Sequence, residues 1–549
     1  MYLCYDIKGI QRFIFSVPKL KCVVGASGLI DEFDRRTAPD CVLGTNAQPV
    51  FSGGGRGAFF CATKTDAETL ADRVVAAAHA VGLDVRIGID PDLSQAAHHA
   101  DRLRPWVPDS LDGEPCALSG LWPVPEGRIP HVKSGVHPLV WRRIEEARHD
   151  RLGTSILDSL FDRGLVPERL ADFDLQFFKN VSPEPDDGDE ARADEREARA
   201  AQAALGKRNR WAVVAMDGND MGRQFLSFDA QRQEQGWSDE TTREWLRAMS
   251  RKLDECTRES FLAALADALE DWSDAAHLTE DELGACLIKD GSGRPTKRLV
   301  LPFRPLILGG DDVTLLCHCS VALRFVQTMA ARFREHSGQA EQTSGLAMPL
   351  WPATGGHLTI SAGILYAKVT FPLHLAIPYA ESLLASAKGA FRASPGSSQP
   401  TPAAVDWDAI TDTLVDTPAA RRNRDLRFED EELGKTIELT RRPYVLDHGG
   451  EHADLPSLLK WKAELSEIPV SVRARILPSL QQPWSGRLAF VASVAKRHAV
   501  LREQLWEGDE VPASGWHEPP HGRSRVTGVP DALLLLDEEH RMARPTANR

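Results

Sequence analysis

Three aspartates have the type and spacing for metal-assisted phosphoryl chemistry. Asp217 ends an apolar run, and Asp311-Asp312 follow two glycines. Two divalent cations about 3.5–4 Å apart can clamp the attacking and leaving oxygens of a phosphoryl transfer. Hard cations such as Mg²⁺ or Mn²⁺ take oxygen ligands, so carboxylates are the side chains this reaction needs. Gly309 and Gly310 allow a tight turn and a close backbone approach to a phosphate. In Asp217-Gly218-Asn219-Asp220-Met221-Gly222, backbone N–H groups at Gly218 and Asn219 precede a helix start, a place suited to a triphosphate. Asp220 is either a further site carboxylate or that helix's N-cap. Lys388 is a candidate phosphate contact. A bare Gly-Gly-Asp-Asp is also an ordinary hairpin turn; the flanking apolar strands, the upstream strand ending in Asp and the downstream lysine set this one apart.

The elements that must position these residues follow from periodicity. Trp211 to Met216 reads as a buried strand, and a helical insertion follows over about 239–275. Leu306-Ile307-Leu308 and Val313 to Cys317 form a hairpin around the glycine turn. A helix over about 321–335, a strand from Leu358 to Ile364, and a helix centred on Ala380, Leu383 and Ala387 complete the unit. The same order stands at the N-terminus: a strand with a turn in 1–15, a helix from Gly25 to Phe33, a hairpin at 49–61, a helix over 66–80, and the strand Val85 to Ile89. Each is a βαββαβ, ferredoxin-like unit, so the chain carries a diverged duplication. Asp6 ends the first strand as Asp217 ends its counterpart, but Gly54-Gly55-Arg56-Gly57 replaces Gly309-Gly310-Asp311-Asp312.

The fold class is therefore α+β: two ferredoxin-like domains, the second with a helical insertion, and a helical C-terminal domain. The expected boundaries are 1–95, a connecting region 96–205 with a charged linker or exposed helix start at 182–196, the catalytic domain 206–400 with its insertion at 225–300, and 401–549, with helices expected over 457–465, 470–480 and 487–505. With 549 residues the chain is too long for one core. A net charge of −14 argues against a general nucleic-acid coat or a templated polymerase, which needs a basic duplex groove. The nine cysteines show no C-x-x-C pair, so no structural zinc is expected. Without a signal peptide or a run of roughly 18 apolar residues, the expected location is the cytoplasm, with no membrane partner. His98-His99-Ala100-Asp101 reads as a solvated helix end. The cluster Arg421 to Arg427 would touch RNA or a neighbouring subunit, or stand as a solvated loop.

The motifs Asp217 to Gly222, Gly309 to Asp312, Ser361-Ala362-Gly363-Ile364 and Ala380-Glu381-Ser382-Leu383-Leu384-x-x-Ala387-Lys388 resemble the palm domain of GGDEF diguanylate cyclases. They are more similar to the large, cyclase-bearing subunit of type III CRISPR effector complexes. Ile10-Gln11-Arg12-Phe13 and Gly25-Ala26-Ser27 resemble that family's first palm. The resemblance implies that Asp217, Asp311 and Asp312 bind two Mg²⁺ or Mn²⁺ ions and that Gly309 and Gly310 shape a nucleotide pocket. It further implies that Lys388 holds a phosphate and that Ser27 contacts a second nucleotide across the palm–palm cleft. ATP would become a cyclic oligoadenylate or cyclic dinucleotide in antiviral defence, with effector subunits and guide or target RNA as partners. The chain departs from the family in three ways. Its palm strand begins at the first residue, so no HD nuclease is expected; no zinc knuckle is present; and Asp-Gly-Asn-Asp replaces Asp-Gly-Asp-Asn. Two rival readings remain: a diguanylate cyclase, and an RNA-sensing scaffold that binds nucleotide without turnover.

Overall fold

The computed structural model describes all residues except 18, 103–135, 182–188, 207–209, 276, 347–348, 394–398, 412–415, 433, 448–452, 484, 487–488, 491–492, 494–515, 518–523 and 541–549. The first unit runs β1 (Tyr2–Ile7), α1 (Ile10–Phe15), α2 (Leu20–Glu32), α3 (Ala38–Asp40), β2 (Gln48–Gly53), β3 (Arg56–Phe60), α4 (Lys64–Ala80), β4 (Val85–Asp90) and α5 (Leu93–Arg102). Its strands are antiparallel in the order β2-β3-β1-β4, the ferredoxin-like arrangement read from the sequence. Thr63 and Asp66 start α4 with a reciprocal capping box. On β1, Leu3, Tyr5 and Ile7 share a core with Val23, Leu70 and Val74. Tyr2 and Cys4, on the other face, share one with Ala96 and Ala100 of α5. Since α5 packs on this sheet, the expected boundary at residue 95 cuts through a helix; the unit runs to Arg102.

The connecting region holds α6 (Pro138–His149), α7 (Arg151–Asp162), β5 (Asp174–Phe177) and α8 (Asp189–Ala204). The charged stretch that the sequence marks as a linker or an exposed helix start is, from Asp189, the start of α8. There a buried Ala198-Ala201 stripe anchors the helix. The second unit runs β6 (Arg210–Gly218), α9 (Met221–Gln235), α10 (Asp239–Ser273), α11 (Glu280–Ala285), β7 (Leu287–Lys289), β8 (Pro295–Leu301), β9 (Phe303–Gly309), β10 (Asp312–Cys317), α12 (Cys319–Thr343), β11 (Ile360–Lys368), α13 (Leu373–Ala390) and β12 (Ala404–Ala409). The insertion is thus helical only as far as Ala285. β7 and β8 then form a hairpin that continues into a small sheet with β5. Its turn is built by Asp290, whose carboxylate accepts from the N–H groups of Ser292 (2.8 Å) and Arg294 (3.0 Å).

Beyond β12 come α14 (Pro418–Asp425), β13 (Arg427–Asp430), β14 (Lys435–Glu438), β15 (Tyr444–Val445), α15 (Leu455–Ser466), α16 (Val470–Leu480), β16 (Trp516–His517), β17 (Ser524–Thr527) and a helix, Val529–His540. The helices expected over 457–465 and 470–480 are there, but so are strands the sequence did not signal. β12 extends the second unit's sheet, parallel to β11, giving the order β15-β12-β11-β6-β10-β9. Its Asp406 and Asp408 hide its strand character, since two buried carboxylates look like loop residues until their partners are known. Arg422 reaches Asp406 at 2.5 Å and Arg421 reaches Asp408 at 3.3 Å. Arg421 and Arg422 are therefore turned onto this chain's own acids, whereas Arg424 and Arg427 stay exposed, Arg424 pairing with Asp416 and Asp425. The helix expected at 487–505 lies almost wholly outside the described residues. Among the described residues no helix is long and apolar enough to cross a membrane.

Two glycines align the duplicated units. Gly88 of β4 pairs with Cys4, and a Cβ on it would lie 1.9 Å from the Ala96 carbonyl oxygen of α5. Gly363 of β11 pairs with Ala215, and a Cβ there would lie 2.1 Å from the Ala380 carbonyl oxygen of α13. Cys4 and Ala215 each precede a strand-end aspartate by two residues, so Asp6 corresponds to Asp217. The hairpin register then corrects the sequence alignment by one residue. Arg56 pairs with Asp6, and the pairing of Val313 with Met216 carries on to set Asp312 opposite Asp217. Arg56 thus stands in the place of Asp312. Asp6 is enclosed by Lys8 and by Arg56 at 3.4 Å, so cations of the chain occupy the first unit's counterpart of the carboxylate site.

The units pack with approximate two-fold character. Ser27 of α2 meets Leu306 of β9, while Arg247 of α10 meets Pro49 of β2 at 3.1 Å. One buried polar group has a consequence for pH. Asp34, next to α2, accepts from Gly55 N–H (2.6 Å) and Tyr5 Oη (3.0 Å), and burial pushes its pKa up to about 7. Its folded value lies above its unfolded value, so its stabilisation is complete below about pH 4 and is lost as pH rises toward 7. The slope is roughly 1.4 kcal/mol per pH unit across that window. Asp34→Asn is expected to flatten this dependence in thermal unfolding between pH 4 and 8 and to be relatively stabilised at pH 8.

Candidate active site

Strand alternation puts the carboxylates on one face. Along β6, Trp211, Val213 and Ala215 join the core shared with the first unit, and Asp217 continues that side. Ala212, Val214 and Met216 join the core that holds α10 and α12. On β10, Leu316 belongs to the first of these faces, so Asp312, four residues earlier, opens onto it too. Helix α13 lies on the same face through Ala380 and Leu383. It delivers Lys388, whose Nζ pairs with the Asp217 carboxylate and donates to the Gly218 carbonyl at 2.7 Å. Lys388, expected on a phosphate, thus serves in this structure as the counter-charge of Asp217.

Three carboxylates beside one ammonium leave an excess of negative charge. Asp311 is pushed up to about 7, first by burial, then by the charge of Asp217. Asp312 has an edge open to solvent, yet it is held well above the usual carboxylate range. Surrounding protein is the first cause and the charges of Asp217 and Asp311 follow. A hard divalent cation is the natural remedy for such a set, and the all-oxygen donors fit one. Among the described residues, however, no three His, Cys, Asp or Glu side chains stand ready as a metal cage, in keeping with Asp217 being turned onto Lys388. Asp217, Asp311 and Asp312 are the residues that would hold the ions.

The other expected site residues divide by role. Gly309 pairs with Asp312 across the turn, and Gly310 takes φ 59°, the left-handed conformation glycine adopts without cost. Both face open space. Asn219 is drawn into the fold: its N–H donates to Thr359 O (2.8 Å) and its Nδ2 to Thr359 Oγ1 (2.9 Å), so it supports the loop rather than reaching toward a ligand. Asp220 makes no N-cap hydrogen bond; it accepts from Thr401 N–H at 2.6 Å and pairs with Arg223 at 3.0 Å. Ser27, expected on a second nucleotide, is buried and donates to the Leu306 carbonyl. The sequence reading missed Thr257 on α10, whose hydroxyl donates to Gly310 O at 2.5 Å; nothing local marks a threonine in mid-helix. Gly218 has a packing reason to be glycine: a Cβ would lie 2.8 Å from Asp311 Cβ. Gly218→Ala is expected to displace Asp311 and to lower turnover about a hundredfold with a small change in melting temperature. Steady-state kinetics beside thermal unfolding would check this.

The second unit is thus a βαββαβ sheet with carboxylates at the tip of its β9–β10 hairpin, a palm-type arrangement. Residues 210–394 match the family model of the Cas10/Cmr2 second palm domain. No curated protein matches. The fold is similar to solved structures of the Csm1–Csm4 cassette. With the complex containing cA4 the identity is 13%, with 98% of this chain and 69% of that chain covered and a TM-score of 0.44. The complex with cA3 gives 13%, 98%, 69% and 0.45, and the complex with one ATP 14%, 98%, 69% and 0.43.

Proposed function

We propose that this chain is a metal-dependent nucleotidyltransferase that joins ATP into a cyclic oligoadenylate or cyclic dinucleotide. The observation that carries it is that Asp217 and Asp312 share one face of a palm that matches the Cas10/Cmr2 family model, with Asp311 in the turn beside them and Lys388 paired to Asp217. A ribose hydroxyl oxygen attacks the α-phosphorus of a second nucleotide, the bond to the β-phosphate bridging oxygen breaks, pyrophosphate leaves, and the hydroxyl proton passes to solvent. Divalent ions held by the three aspartates would neutralise the phosphoryl charge and acidify the attacking hydroxyl. The chain's own part is positioning. The hairpin aims Asp311 and Asp312, Gly218 leaves room for them, and Lys388 holds Asp217 until a ligand competes for it. Adenine as the base follows the resemblance of the motifs, as do effector subunits and RNA as partners.

The rival reading, nucleotide binding without turnover, draws on the pairing of Asp217 with Lys388 and on the open metal cage. Mass spectrometry of products from ATP and from GTP, with Mg²⁺ or Mn²⁺ and with added RNA, separates them. Cyclic adenylates establish the synthase. A cyclic guanylate corrects the base and leaves the site standing. Nucleotide binding with no product in any condition supports the rival.

A further inference from the structure

The hairpin carrying Asp311 and Asp312 is gripped by a hydroxyl from each unit. Ser27 of α2 is 6% exposed and donates to the Leu306 carbonyl. Thr257 of α10 is buried and shares its proton between Leu253 O (3.0 Å) and Gly310 O (2.5 Å). Leu306 is the extra residue of a bulge, since Thr314 pairs with Ile307 and Leu315 with Pro305. A bulged residue drops out of the ladder, and β9 is the sheet's edge. A buried carbonyl there needs a donor from outside the sheet, and Ser27 supplies it. Gly310 sits in the turn itself, next to Asp311, and its carbonyl is the one Thr257 holds.

We propose that Ser27 and Thr257 form a two-point clamp that sets the aim of Asp311 and Asp312. Both are positioning residues for the nucleotidyl transfer of the preceding section, on which this inference rests. Ser27 acts through the bulge and Thr257 through the turn. The clamp makes the second palm's geometry depend on the docking of the first, metal-free unit, a reason for that unit to persist without carboxylates in its own turn.

The test compares Thr257→Val, which keeps shape and loses the hydroxyl, with Thr257→Ser, which keeps the hydroxyl, and Ser27→Ala with Ser27→Thr. Product kinetics are measured beside Mn²⁺ binding without nucleotide, by electron paramagnetic resonance, and thermal unfolding. Thr257→Val and Ser27→Ala are expected to lower kcat about tenfold to a hundredfold, to leave KM nearly unchanged, and to weaken Mn²⁺ binding; Thr257→Ser restores all three. A Ser27→Ala protein with raised KM and intact kcat would make Ser27 a nucleotide contact and overturn the clamp, as would Thr257→Val with wild-type kinetics and Mn²⁺ binding. If the wild-type chain makes no product, the activity reading fails separately. The clamp is then judged on Mn²⁺ affinity, and equal affinity in wild type, Ser27→Ala and Thr257→Val overturns it.

Discussion

Replacing Asp311 and Asp312 together by alanine removes product formation, by about a thousandfold or more, and leaves the protein as stable as before or more so. The first half follows from the chemistry: phosphoryl transfer is mostly positioning and charge neutralisation, so little activity survives loss of the ligands. The second half follows from the structure. Burial and the charge of Asp217 raise both groups' pKa values, so in the absence of a cation their ionised forms are disfavoured in the fold. Deleting two crowded charges relieves a like-charge contact and opens no core cavity, since the turn faces open space. Product analysis and a melting curve on the same sample decide it. A variant that loses activity only because it unfolds would show the pair to be structural, and one that keeps full turnover would move the chemistry elsewhere.

Asp150→Ala is expected to cost about 3–5 kcal/mol, read by urea unfolding. Arg304, on β9, is 1% exposed and holds both oxygens of Asp150, at 2.7 and 2.5 Å. Removing the carboxylate strands a guanidinium that cannot lose its proton. It also deletes the cap that Asp150 gives to α7, where its side chain accepts from Gly153 N–H. Because the penalty comes from an orphaned charge, Asp150→Ala/Arg304→Met should recover part of it. Equal stabilities of the single and double variants would show that the loss is the cap and not the ion pair. Arg304 lies five residues before Gly309, so partial activity loss in the single variant is expected alongside.

Much of the site was legible because its signals are local. A strand reads from its apolar run, a turn from Gly309-Gly310, and a carboxylate pair from its letters. What failed to show depends on partners far away in sequence. β12 was hidden by Asp406 and Asp408, whose arginines follow on α14 and beyond. The β7–β8 hairpin was absorbed into an expected helical stretch, although its Asp-Gly-Ser-Gly turn was a usable signal. Ser27, Asn219 and Lys388 were recognisable as motif members, but the protein groups they hold were not. In this structure they hold Leu306, Thr359 and Asp217.

Two ferredoxin-like units, the retention of three carboxylates in one of them, and the identity of those residues can all be read from local patterns in the chain. Period-two burial and turn chemistry are written within a few residues. That Arg56, not Gly57, answers Asp312, that Lys388 is the partner of Asp217, and that hydroxyls from both units meet the same hairpin emerges from the folded chain alone. Those are contacts between residues some 50 to 280 positions apart. Strand register and packing set such contacts, and no short window of sequence contains both ends.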